Sequence, residues 1–280
     1  MSRRRARAAV RPGIVGIVFG LLMSLLTVAP AKAAPPPAFK ASFLIPAYFY
    51  PLGNSWQQMC STLRSSGRQA VVIMNPGSGP GPTKNPEYTA AVALCRQQPL
   101  PQTVVGYVDT NYGKRSAAAI KADIDNYYSW YSVNGIFFDQ MSNSSASKAL
   151  YVEIYNYVKT KSAADLVVGN PGIPASTNWQ LTAPIVADVL VVFEGNASTY
   201  MKWQPPKWVM QAQASTTALA HIVYGARPPG GSARLPSTEA VCAASKLKKG
   251  GWMDVTSNGQ GQDPNPYDGP PDLTGMQNYC

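Results

Sequence analysis

Gly135-Ile136-Phe137-Phe138-Asp139, the helix-like segment Ser145–Lys159, and then Leu166-Val167-Val168-Gly169-Asn170 together hold the plan of the chain. The two flanking runs are short, apolar and rich in Val, Ile and Phe, as strands buried on both faces are. A strand, a helix and a second strand in that order make one unit of a parallel sheet.

Outward from this unit the alternation repeats. Further strands are predicted over Phe43–Tyr50, Gln69–Asn75, Val104–Asp109, Val189–Glu194, Leu219–Tyr224 and Gly251–Val255. Between them, Ala118, Ile120, Ile124, Tyr127, Tyr128 and Tyr131 recur at helical spacing over Ser116–Tyr131, and Ser237–Lys248 is a second helix, stopped by Gly250-Gly251. Trp208–Ala214 reads as an irregular or helical piece, because Pro205-Pro206 precedes it and its Gln residues suit a buried sheet poorly. Eight strands in about 250 residues are the count and size of a TIM-type barrel, so the expected fold is α/β, a single (β/α)8 barrel over residues 41–280. No internal repeat or second domain is visible.

The first residues do not belong to that pattern. Arg3, Arg4, Arg5, Arg7 and Arg11 form a basic zone, Ile14 to Val28 is apolar, and Ala31-Lys32-Ala33 offers the small residues of a cleavage site. The apolar run has about fifteen residues, short of the roughly twenty that span a bilayer. Residues 1–33 are therefore expected to be a signal peptide, with the export route left open, followed by a Pro-rich leader over 34–40. The mature protein is expected outside the cell with no membrane partner.

Without the signal peptide, 18 basic side chains face 14 acidic ones. A balance of +4, with no run of Lys and Arg interleaved with aromatics, argues against nucleic acid. Cys60, Cys95, Cys242 and Cys280 make an even set in an exported chain, which points to disulfides rather than to metal ligands. Cys60 and Cys95 fall on consecutive predicted helices, and Cys242 lies on the last long helix before the C-terminal Cys280, so the expected pairs are Cys60–Cys95 and Cys242–Cys280.

A single histidine excludes paired-His zinc sites. His221 lies near the start of its strand, away from the end where barrels do chemistry, and reads as structural. There is no GxSxG elbow, no dinucleotide GxGxxG, and the Gly-rich Asn75–Gly81 loop lacks the Lys of a phosphate loop. Neither metal nor cofactor is expected. The mature chain has only four Glu and ten Asp. Asp109, Asp139 and Glu194 end strands and Asp254 is late in the eighth, whereas Asp165 and Asp188 open theirs. Asp139 and Glu194 each close an apolar run leading out of the core, the placement that can make one acid and one ionised carboxylate of a pair, as glycosidic cleavage requires. The alternative is that they hydrogen-bond loop backbones or pair with Arg115.

At these residues the sequence resembles the spherulation-specific family 4 proteins. The resemblance rests on Ile45-Pro46-Ala47-Tyr48-Phe49-Tyr50-Pro51, the Asn75–Gly81 loop, Gly106-Tyr107-Val108-Asp109-Thr110-Asn111-Tyr112-Gly113-Lys114-Arg115, and Gly135–Gln140. It continues in Gly169-Asn170-Pro171-Gly172, Val192-Phe193-Glu194 and Asn265-Pro266-Tyr267-Asp268. What it implies is a metal-free endo-glycosidase acting on α-1,4-linked N-acetylgalactosamine or galactosamine chains, with Asp139 and Glu194 as its acids; a monomer is expected. The preferred order is Asp139 as nucleophile and Glu194 as proton donor, though the sequence does not decide it. Two departures stand out: the family's usual Asp-Glu pair is Asp139-Gln140 here, and the His that often ends its seventh strand is Tyr224. A barrel that binds sugar without cutting it is the competing reading. Tyr48, Tyr50, Tyr107, Tyr112, Gln140 and Tyr224 are candidate sugar contacts, with Asp109, Arg115 and Asn170 as candidate holders of hydroxyl or amino groups.

Overall fold

The structure is a computed structural model that describes residues 42–211, 218–227, 231, 233–259 and 265–280. The predicted signal peptide, the Pro-rich leader and the end of the Trp208–Ala214 segment lie outside those residues.

Eight parallel strands close into a barrel in chain order, β1 pairing with both β2 and β8. They are β1 (Ser42–Ala47), β2 (Ala70–Met74), β3 (Thr103–Asp109), β4 (Gly135–Asp139), β5 (Leu166–Gly169), β6 (Val189–Asn196), β7 (Leu219–Tyr224) and β8 (Trp252–Val255). Each lies within a few residues of its expected span. The helices are α1 (Ser55–Ser65), α2 (Pro86–Cys95), α3 (Ala117–Tyr131), α4 (Lys148–Lys161), α5 (Ala197–Lys202), α6 (Lys207–Gln211), α7 (Thr238–Leu247) and α8 (Leu273–Tyr279). Ser116 and Ser237, where helices were expected to begin, cap α3 and α7 by accepting the backbone N–H of Ala119 and Ala240. The expected Ser145 start of α4 is a single 3-10 turn, Ser145–Ser147, ahead of the helix proper.

Strand residues alternate between two cores. Leu44, Val71, Ile73, Val105, Phe137, Val168, Val191 and Ile222 fill the barrel interior, while Phe43, Ile45, Val72, Val108, Phe138 and Val223 pack outward against the helices. Gly106 faces outward under the ring of Tyr127: a Cβ there would sit 2.4 Å from it, so glycine lets α3 lie directly on β3.

Disulfides join Cys60 to Cys95, linking α1 with α2, and Cys242 to Cys280, linking α7 with the residue after α8. Among the described residues no helix is long and apolar enough to cross a membrane.

Candidate active site

The C-terminal ends of the strands carry the acids, and side-chain alternation decides which of them face inward. On β4, Phe137 and Asp139 share the interior side; β5 continues from Val168 to Asn170 in the same way. Strand β6 breaks the rule. Val189 and Val191 point inward, so regular alternation would turn Glu194 toward the helices. The register to β7 shifts instead between Val191 and Phe193, leaving Val192 and Phe193 both outward, and Glu194 then pairs with the inward Ile222. This β-bulge is what aims Glu194 into the barrel mouth. Asp254 pairs with the same Ile222 from β8, and is therefore in one register layer with Glu194.

Asn170 joins the two main acids. Its amide nitrogen donates to Asp139 Oδ1 at 2.8 Å and to Glu194 Oε2 at 2.7 Å, while its own oxygen accepts the N–H of Gly172 at 2.9 Å. That last bond settles which end of the amide faces the acids. The remaining carboxyl oxygens are held by phenols: Tyr107 donates to Asp139 Oδ2 at 2.7 Å and Tyr267 to Glu194 Oε1 at 2.6 Å. Tyr48 stands edge-on to both phenol rings, with centroids at 5.6 and 5.5 Å.

Burial presses on two of the acids. Burial, opposed by the Tyr107 hydrogen bond and reinforced by Glu194, raises Asp139 to about 6. Asp254 is pushed well above the usual carboxylate range by burial and then by Glu194. It is 1 % exposed, and its Oδ1 has no hydrogen-bond partner, so no donor on that oxygen favours the ionised form. Tyr48, Tyr107 and Tyr267 are all raised, burial being the largest cause in each case.

The other expected site residues divide. Gln140 follows Asp139 with φ 49°, and its backbone carbonyl accepts the N–H of Tyr112. Tyr224 packs against Tyr267 and, with Tyr112, lines a cavity bounded by Glu194. Asp109 is the register neighbour of Asp139, but its Oδ1 accepts the N–H of Asn111 at 2.6 Å. Arg115 is spent elsewhere: one nitrogen bonds the Asp109 carbonyl, the other the Asp123 carboxylate, both at 2.6 Å. Neither central acid pairs with it. Tyr50 is at the rim, its hydroxyl engaged with Asn85 and Glu87. His221 is fully buried, Nδ1 against the Tyr200 hydroxyl at 2.7 Å, in the outer layer as a structural residue. Tyr267 was part of a motif behind the resemblance, but its role and that of Asp254 escaped the sequence reading, as did Asn143 and Ile173, which line the same cavity as Tyr112 and lie in loops without periodicity.

The profile of the spherulation-specific family 4 matches residues 42–276. Spherulin-4 of Physarum polycephalum is 30% identical over 174 residues, 62% of this chain and 50% of that protein, so the match spans half of the relative's length. Among solved structures, Aspergillus clavatus Sph3 in complex with GalNAc superposes with a TM-score of 0.70 at 23% identity, over 86% of this chain and 98% of that one. An FMN-binding β-glucuronidase from Faecalibacterium prausnitzii is similar at a TM-score of 0.53 and 10% identity, over 86% of this chain and 44% of that one. At those identities the two structures bear on the fold alone.

Proposed function

The chain belongs to the spherulation-specific family 4, and we propose that it is an exported endo-glycosidase that cleaves α-1,4-linked galactosamine or N-acetylgalactosamine chains with retention of configuration. The observation that carries this reading is the Asn170 bridge. Two carboxyl oxygens accepting from one nitrogen at 2.8 and 2.7 Å lie closer together than the sum of those lengths. That close approach of one oxygen from each acid is in keeping with the about 5–5.5 Å between the carboxyl groups of retaining enzymes rather than the about 6.5–9.5 Å of inverting ones.

Asp139, raised to about 6 by burial, suits the proton donor. Glu194, oriented by Asn170 and Tyr267, is then the acid left to act as nucleophile. This reverses the order preferred from sequence. In the first step Glu194 bonds to the anomeric carbon as its bond to the leaving oxygen breaks, and Asp139 gives that oxygen a proton. In the second, Asp139 takes a proton from water as the water displaces Glu194 from the same carbon. Two inversions return the α-anomer. Tyr48, partly exposed, supplies a ring for a pyranose beside the acids, while the buried Tyr107 holds Asp139. Two disulfides accord with an oxidising compartment.

Gln140 supports a second reading, a barrel that binds the chain without cutting it, since an amide cannot ionise or relay a proton. Incubation with partly deacetylated galactosaminogalactan, followed by NMR of the first product anomer, tests both. Released oligosaccharides with α reducing ends are expected, with Glu194→Gln and Asp139→Asn each removing most activity. Binding without release in wild type and in Gln140→Glu favours the binding barrel, and a β product overturns the double displacement.

A further inference from the structure

Beside Glu194 lies a cavity of about 660 Å³, bounded by Tyr112 from the β3–α3 turn, Ser142 and Asn143 after β4, Ile173 after β5, and Tyr224 at the end of β7. Its size falls within the about 300–1,000 Å³ of small-molecule sites. Three features of its walls have no use in the catalytic arrangement.

First, Tyr112 and Ile173 are 57% and 65% exposed, large apolar side chains left facing water. Second, the backbone beneath Tyr112 is strained. Asn111 and Tyr112 have φ of 44° and 54°, and Gln140 has 49°, a region that side-chain-bearing residues seldom occupy. The turn is pinned where it stands: Tyr112 N–H donates to the Gln140 carbonyl at 2.7 Å, Thr110 N–H to the Asp139 carbonyl at 3.0 Å. Packing of the exposed ring does not repay that strain, and strain of this kind gathers at ligand contacts. Third, Asn143 Oδ1 is buried in the wall without a hydrogen-bond partner. An orphaned acceptor is costly, and a donor from a bound molecule relieves it.

An exposed ring, an aliphatic neighbour and an unmet acceptor in one cavity suit a pyranose, which has an apolar face and a rim of donors. We propose that the cavity is a subsite for the sugar unit adjoining the one at Asp139 and Glu194. Tyr112 and Ile173 contact its apolar faces, and Asn143, by a small shift of its amide, accepts a hydroxyl or amide N–H from its rim. The catalytic site therefore gauges more than one unit of the chain. This inference rests on the glycosidase reading only for the identity of the ligand and the place of the first sugar.

Calorimetric titration in a Glu194→Gln background, so that the ligand is not cut, tests it with methyl α-galactosaminide and a galactosamine pentasaccharide. The Tyr112→Ala protein is expected to lose about tenfold of the preference for the pentasaccharide over the monosaccharide. Tyr112→Phe, which keeps the ring, is expected to retain it. Equal weakening of both ligands, or an unchanged preference in Tyr112→Ala, overturns the subsite, as does an absence of binding. Hydrolysis by the wild type is scored separately. A Tyr112-dependent preference without hydrolysis keeps the subsite and defeats the glycosidase reading, and the converse defeats the subsite alone.

Discussion

Tyr107→Phe should move the pH dependence of hydrolysis in a direction that reveals what Asp139 does. The phenol donates to Asp139 Oδ2 at 2.7 Å and so favours the ionised carboxylate. Losing that donor raises the pKa from its present value of about 6. A hydrogen bond to a charged group contributes about 1.5–3 kcal/mol and one pKa unit corresponds to about 1.4 kcal/mol. Asn170 remains on the other oxygen and water can replace part of the loss, so a rise of about one unit is expected. If Asp139 is the proton donor, its protonated form is the active one and kcat/KM falls as pH rises through its pKa. That descending limb should shift from about 6 to about 7 in the variant. Initial rates on a labelled oligosaccharide over about pH 4 to 9 report the free-enzyme pKa directly. A limb that stays in place means that Asp139 is not the titrating group. One that ascends through pH 6 means that Asp139 works ionised, and restores it as nucleophile.

Asn170→Leu removes the donor shared by both acids and is expected to lower kcat/KM about a hundredfold or more while the barrel still folds; near-normal turnover would show that the amide does not set their spacing. Asp254→Asn should stabilise the protein at neutral pH. The folded-state pKa of Asp254 lies above its unfolded value, so keeping it protonated costs stability once pH exceeds the ordinary carboxylate range, and the gain should fade as pH drops back into that range. Urea unfolding at pH 7 and pH 4 checks this, and an equal gain at both would exclude titration as the cause. Cys242→Ser opens a link across 38 residues and should cost about 3–4 kcal/mol in urea unfolding, a loss below about 1 kcal/mol arguing against the constraint.

The barrel was legible because its strands are short apolar runs with few rivals, and Gly135–Asp139 and Leu219–Tyr224 occupy their expected spans. The first strand is shorter than expected, ending at Ala47. Tyr48 N–H bonds the Tyr267 carbonyl, outside the ladder, and only a tertiary contact could reveal that. At the site, Asp139, Glu194, Tyr107 and Asn170 stood out as polar or aromatic residues at strand ends. Tyr267 did not, since it arrives from the loop after β8 and hydrogen-bonds a residue far away in sequence. Arg115 looked available because a cation in a loop beside carboxylates invites a ligand, but a backbone carbonyl and Asp123 had already claimed it.

The bulge in β6 makes the orientation of Glu194 depend on parity. Removing Val192 would restore regular alternation with Phe193 outward and Glu194 still at the mouth, whereas flattening the bulge with every residue kept would bring Phe193 to the mouth in place of Glu194. A barrel of this kind can thus lose its chemistry through a change that touches no acid, whenever the number of residues before the glutamate and the presence of the bulge fall out of step. Whether such a chain has a working pair of carboxyls must then be judged by the count along β6 from Val189 together with the bulge, as well as by finding the glutamate.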